Sequence, residues 1–165
     1  MLRINDIHSV PLIARVAGVN YVAGSDVTIA HYDSTDKLTS GVMFTNSNDW
    51  SSEMHVASFK PNWANKELLW FTFHYAFRFR KWSKLFGRVP NDGQHFDAIQ
   101  LDMKLGFRSE AYITDVFGLH VGLYVLSMRA DECKWLDMKP PKVTFPTPEK
   151  TLFIEPDPAY SLELF

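Results

Sequence analysis

The chain has 165 residues, a net charge of −2 from 17 basic and 19 acidic side chains, and a sequence pI near 6.3, which argues against a general nucleic-acid-binding surface. Its single cysteine, Cys133, excludes an internal disulfide framework and a cysteine-based zinc cluster. The N-terminus has no long apolar leader and no segment reaches the roughly 18 apolar residues of a membrane span, so a soluble, cytosolic protein without a membrane partner is expected.

The first predicted element is a short amphipathic segment, IHSVPLIARVAG, interrupted by Pro11 and ended by Gly18. SDVTIAHYD (25–33) alternates Val27, Ile29 and His31 against Thr28 and Ala30, which is a strand signal. KLTSGVMFTN (37–46) reads as a second strand after the turn Asp33-Ser34-Thr35-Asp36, and SSEMHVASF (51–59) as a third. In FTFHYAFRFR, aromatics fall at 71, 73, 75, 77 and 79, a period of two that on pattern alone says strand. Against it, Asn62 or Asn65 is placed to cap a helix, and 65–81 is too long for an average strand. Locally the two readings stay open. The basic side chains of FRFRKWSK (77–84) read as a solvated face rather than a binding patch.

KLFGRVP (84–90) is a strand candidate ended by Pro90, and HFDAIQLDMKLGF is an amphipathic helix with Phe96, Ile99, Met103 and Leu105 at helical spacing. Gly106 stands where a left-handed C-cap is expected. RSEAYITDVF (108–117) and VGLYVLSMRA (121–130) form a hairpin around Gly118-Leu119-His120. From 139 onward the composition shifts, and six of the nine prolines lie in 140–158. The expected organisation is one α+β domain over 1–138, a mostly antiparallel sheet flanked by helices, and a proline-rich tail over 139–165. The apolar LFI and LELF of that tail would dock on the body or on a second copy, giving a homodimer.

The stretch from Lys84 to Met128 resembles the second half of a GNAT-superfamily N-acetyltransferase of the ribosomal-protein-acetyltransferase kind. Lys104-Leu105-Gly106-Phe107-Arg108 matches the family's helix-ending motif, Ala98 its small helical residue, and Val121 to Met128 its tyrosine-containing last strand. A tryptophan in the loop and an aromatic-rich helix after it resemble bacteriophage-encoded members. The resemblance implies a GNAT-like acyl-CoA N-acyltransferase fold, acetyl-coenzyme A as co-substrate, no metal, and an amine acceptor on a protein or a small molecule. It also implies that FTFHYAFRFR is a helix whose N-terminus receives the cofactor's pyrophosphate. The family's glycine-rich loop then falls on Lys60-Pro61-Asn62-Trp63-Ala64-Asn65, with both glycines replaced.

On this frame the cofactor-binding candidates are Val56, Ala57, Phe59, Lys60, Asn62, Trp63, Ala64, Asn65, Lys66 and His95. Asn65 would hold a left-handed turn in place of glycine, and Trp63 would either stack on the coenzyme or fill its place. His95 would contact the cofactor or cap its helix. Glu53 is the candidate base, weighed against an exposed strand carboxylate, and His55, two residues on, shares its face. Tyr124 is a candidate donor, with core packing as its default. The family's acid, a tyrosine, aligns with Asp102, which would need a strongly raised pKa to serve at neutral pH. Backbone N–H groups after Met54 would polarise the thioester. The alternative to an acetyltransferase is a catalytically silent module on the same fold.

Overall fold

A computed structural model describes residues 1–61 and 63–141. Asn62 and the stretch 142–165, which carries most of the proline-rich tail and both of its apolar clusters, lie outside the described residues. No helix among the described residues is long and apolar enough to cross a membrane.

Seven strands form one sheet: β1 (Leu2–Ile4), β2 (Val27–Tyr32), β3 (Leu38–Thr45), β4 (Ser51–Ser58), β5 (Lys84–Pro90), β6 (Arg108–Ile113) and β7 (Leu123–Arg129). Their spatial order is β1-β2-β3-β4-β5-β7-β6. All neighbours are antiparallel except β4 and β5, which run parallel and need a crossover. That crossover is α2 (Lys66–His74), prolonged by a π-turn over Tyr75–Phe79. The helix α1 (Val10–Ala17) covers the other face, and α3 (Phe96–Leu105) joins β5 to β6.

The central strands are buried by alternation, one set of side chains per face. Ile29, Val42, Phe44, Met54, Leu85, Leu126 and Met128 build the larger core with Leu68, Phe73 and Phe77 from the crossover helix. Ala30, Tyr32, Met43 and Ala57 meet Ile13 of α1 on the opposite face. The helix lies close because β3 carries Gly41 there. A Cβ at that position would stand 2.3 Å from Ile13 Cδ1.

Two sequence expectations change, and one strand was not foreseen. Pro11 does not interrupt α1 but stands in its first turn, where its missing N–H costs nothing. The apolar stripe of α3 is narrower than its spacing suggests: Ile99 and Leu105 are buried, whereas Phe96 and Met103 face water. The three-residue β1, paired Leu2 to His31, carries no alternation long enough to have been read. Gly106 does take the left-handed C-cap, at φ 115°, and FTFHYAFRFR is helical.

Candidate active site

Parallel pairing between β4 and β5 lasts only three residues, Ser51 with Lys84, Ser52 with Leu85 and Glu53 with Phe86. Beyond that seam β4 continues to Ser58 and β5 to Pro90, so the strands diverge and leave a gap open on the β4 edge. Which β4 residues address the gap follows from the β3 ladder. The Phe59 N–H donates to Thr39 C=O, which makes 59/39, 57/41, 55/43 and 53/45 the hydrogen-bonded pairs. Met54, Val56 and Ser58 therefore turn their N–H and C=O away from β3, toward β5 and the gap. The carbonyl of Met54, facing Gly87 of β5, fits this assignment. Ala57 and Phe59 turn theirs to β3, and their side chains pack with the cluster around Ile13.

At the closed end of the gap sits a polar cluster. Glu53 is 1% exposed, so the reading of an exposed strand carboxylate does not hold. Arg88 of β5 grips it with two hydrogen bonds, Nε to Oε1 at 2.7 Å and NH2 to Oε2 at 2.9 Å, and Asn46 Nδ2 adds a third at 2.8 Å. Burial alone would raise the carboxyl pKa. The hydrogen bonds from Arg88 and Asn46, with His55 nearby, reverse this and hold it below the usual range. His55 Nε2 lies 2.9 Å from Thr45 Oγ1 and 3.8 Å from Glu53 Oε1. Burial pushes the imidazole below its ordinary pKa against the pull of Glu53, so the ring is neutral at pH 7. Arg88, Asn46 and Thr45 were not singled out from sequence. Arg88 meets Glu53 only because β5 lies beside β4, and nothing local in KLFGRVP reports that neighbour.

The loop before α2 is built differently from the left-handed turn expected of Asn65. Asn65 is extended (φ −87°, ψ 158°), and its side chain caps the helix by accepting from Leu68 N–H at 2.8 Å. The N–H groups of Lys66 and Glu67 keep the orphan positions of a helix start. Trp63 is partly buried against the larger core, and its carbonyl accepts from Asn65 N–H at 2.8 Å. Lys60 is exposed, with Nζ 3.5 Å from Asp33, and Ala64 and Lys66 face solvent. The loop is thus a capped turn folded onto the body by an indole.

The remaining candidates lie apart. Tyr124 pairs with Val89 across β5 and with Tyr112 across β6, its ring 4.7 Å from that of Tyr112. By alternation from the Glu53/Phe86/Ser127 row it projects from the sheet face opposite Glu53 and His55. His95 precedes α3 without a side-chain capping bond; its Nδ1 is 2.8 Å from Asp92, which also accepts from the N–H groups of Gln94 and His95. Asp102 stands one turn from both Ile99 and Leu105, and burial pushes its carboxyl from 3.8 up to about 6. Between those values the folded state holds the proton more tightly than the unfolded one, so this group removes stability as pH rises. Asp102→Asn is expected to raise stability at pH 7 by on the order of 1–3 kcal/mol, with the gain vanishing below about pH 4. Urea denaturation at several pH values checks this.

A mixed sheet splayed between parallel β4 and β5, with a crossover helix starting at the mouth of the splay, is the architecture of the GNAT acyl-CoA N-acyltransferase fold. No protein-family model matches the sequence, and no curated protein matches it. Among solved structures the fold is shared with spermidine N-acetyltransferase of Vibrio cholerae. Its complex with CoA and spermine superposes with a TM-score of 0.62 at 14% identity, over 80% of this chain and 96% of that one. A chimera of the Vibrio cholerae enzyme and hSSAT gives 0.66 at 14% identity, over 82% and 99%. The spermidine/spermine N-acetyltransferase from the same organism in complex with manganese ions gives 0.62 at 15%, over 79% and 92%. Among the described residues of the present chain, no group of three metal-ligating side chains comes together.

Proposed function

We propose that this chain is an acetyl-coenzyme A-dependent N-acetyltransferase that acetylates a primary amine on a protein or a small molecule. The observation that carries the reading is the gap beyond the Glu53–Phe86 seam, with the backbone of Val56 and Ser58 turned into it and His55 at its closed end. The donor set suits the cofactor: a strand edge alternating N–H and C=O can pair with an amide-bearing pantetheine chain as a further strand would. Val56 and Ser58 would hold that chain, and the N–H groups of Lys66 and Glu67, with Lys60 and Trp63 beside them, would meet its phosphates. Ala64 and Asn65 shape that turn, while Ala57 and Phe59 support it from the α1 face. His95, near the start of α3, would approach the cofactor from the β5 side.

When bound, the thioester supplies an activated acetyl group. The chain's own residues do the rest. Val56 N–H donates to an oxygen that gains charge in the gap. His55, neutral at pH 7, accepts the proton that an incoming ammonium must lose, and the Glu53 carboxylate stabilises the imidazolium. Glu53, fixed by Arg88 and held ionised, acts as a positioning group rather than the base itself. Tyr124 projects from the opposite face and would meet the cofactor rather than the amine.

The match to the helix-ending motif supports an affinity with ribosomal-protein acetyltransferases, and so a protein amine as acceptor, while the loop tryptophan and the aromatic-rich helix after it support an affinity with phage-encoded members. The neighbours' spermidine and spermine supply the small-molecule alternative. A second reading, a catalytically silent module, draws on the first turn of α2, where Asn65 consumes one N–H and Glu67 adds a negative charge to the same turn. Calorimetric titration with acetyl-coenzyme A separates the two. Saturable binding is expected, followed by a +acetyl mass shift on spermidine, spermine or lysate proteins. No heat at millimolar cofactor would overturn the enzyme reading.

A further inference from the structure

The outer side of the crossover helix carries a groove of about 460 Å³ lined by Ile4, Trp70, Phe71, His74, Tyr75 and Phe79, with Arg78 at its rim. Phe79 is 74% exposed and Ile4 39%. The rings of Phe71, Tyr75 and Phe79 form one stacked ladder along the groove, with centroids 6.4 and 5.5 Å apart, and His74 stacks on Trp70 at 3.9 Å. Arg78 lines the groove, and Arg80 and Lys81, which follow Phe79 directly in the chain, are exposed. None of this belongs to the gap between β4 and β5.

The described chain ends against this groove. Trp70, one of its walls, donates its indole N–H to the carbonyl of Met138 at 3.1 Å. The described residues therefore end close to the groove, and 24 residues (142–165) follow Pro141 in the sequence. The latter include the apolar run Leu152-Phe153-Ile154, whose flanks carry three carboxylates, Glu149, Glu155 and Asp157, and one ammonium, Lys150. From Pro141 to Leu152 the chain can span at most about 35–40 Å, whereas the helix from Lys66 to Phe79 is only about 20 Å long. A segment tethered at one wall meets the groove at an effective concentration in the millimolar range, far above that of a second copy. An apolar run suits aromatic walls, and a net-acidic flank suits the basic run that holds Arg78, Arg80 and Lys81.

We propose that the aromatic groove on the crossover helix is the docking site of this chain's own segment Leu152–Ile154, bound in cis. This docking is independent of whether the gap binds a cofactor.

The test uses the full chain and a variant with Leu152, Phe153 and Ile154 all changed to Asp, compared by hydrogen exchange and light scattering. Amide exchange across residues 70–79 should speed up about tenfold or more, and the Trp70 indole resonance should shift, while the mass stays that of a monomer in both. Phe79→Ser, which removes an exposed ring and leaves the core intact, should produce the same loss of protection, and combining the two changes should add nothing. Unchanged exchange in the tail variant would overturn the proposal. So would a wild-type dimer that becomes monomeric in the variant, since the segment would then sit on a second copy.

Discussion

Arg88→Met is expected to cost the fold about 2–3 kcal/mol at pH 7, because it strands the Glu53 carboxylate in the interior with only Asn46 as a full partner. The figure sits below that of a fully enclosed pair because half of the Arg88 side chain is reached by water. The pH dependence is the sharper signature. In the wild type the carboxyl is held below its ordinary value of 4.5, so its contribution is present above that pH and is lost as pH falls through the lowered value. Without Arg88, burial dominates and the sign inverts: the variant should lose stability as pH rises past about 4.5 and lie nearest to wild type in acid. Replacing Glu53 and Arg88 together by apolar residues should restore most of the loss at neutral pH. Denaturant titrations of the single and double variants between pH 4 and 8 read all three outcomes.

The largest effect on activity is expected from a backbone position. Val56→Pro removes an N–H that points into the gap and takes no part in the β3 ladder. The sheet should therefore survive, since proline is tolerated where no ladder bond is donated. If Val56 N–H stabilises charge on the acetyl oxygen, kcat should fall about 10²- to 10³-fold. The control is Ala57→Pro one residue on, which deletes a ladder bond and should unfold the protein or lower its midpoint sharply. A folded Val56→Pro protein with wild-type kcat would remove Val56 from the chemistry.

The helix after the loop shows how a correct pattern can point to the wrong element. Aromatics at every second position from 71 to 79 are two ladders of spacing four, interleaved: Phe71, Tyr75 and Phe79 on the groove side, Phe73 and Phe77 in the core. Spacing four drifts around an α-helix, and the wider π-turn, marked by Arg80 N–H donating to Tyr75 C=O at 2.8 Å, corrects the drift. Period alone cannot distinguish this from a strand; the Asn65 cap and the length could. The strands β2 to β5 were legible because each alternates between turn residues. The polar cluster was legible only on β4, as Glu53 and His55 two residues apart. Its other half, Arg88, is fixed by a parallel register between segments 35 residues apart, which local pattern does not encode.

The three-rung seam also bears on the mechanics of the molecule. Strands β1–β4 and β5–β7 behave as two plates welded at one corner, with Ser51–Glu53 and Lys84–Phe86 as the weld and the Glu53–Arg88 clasp at its tip. Past the tip, no β-ladder joins the two plates. A ligand wedged between the plates would act on the angle between them, and the crossover helix, rooted on both, would act as its spring.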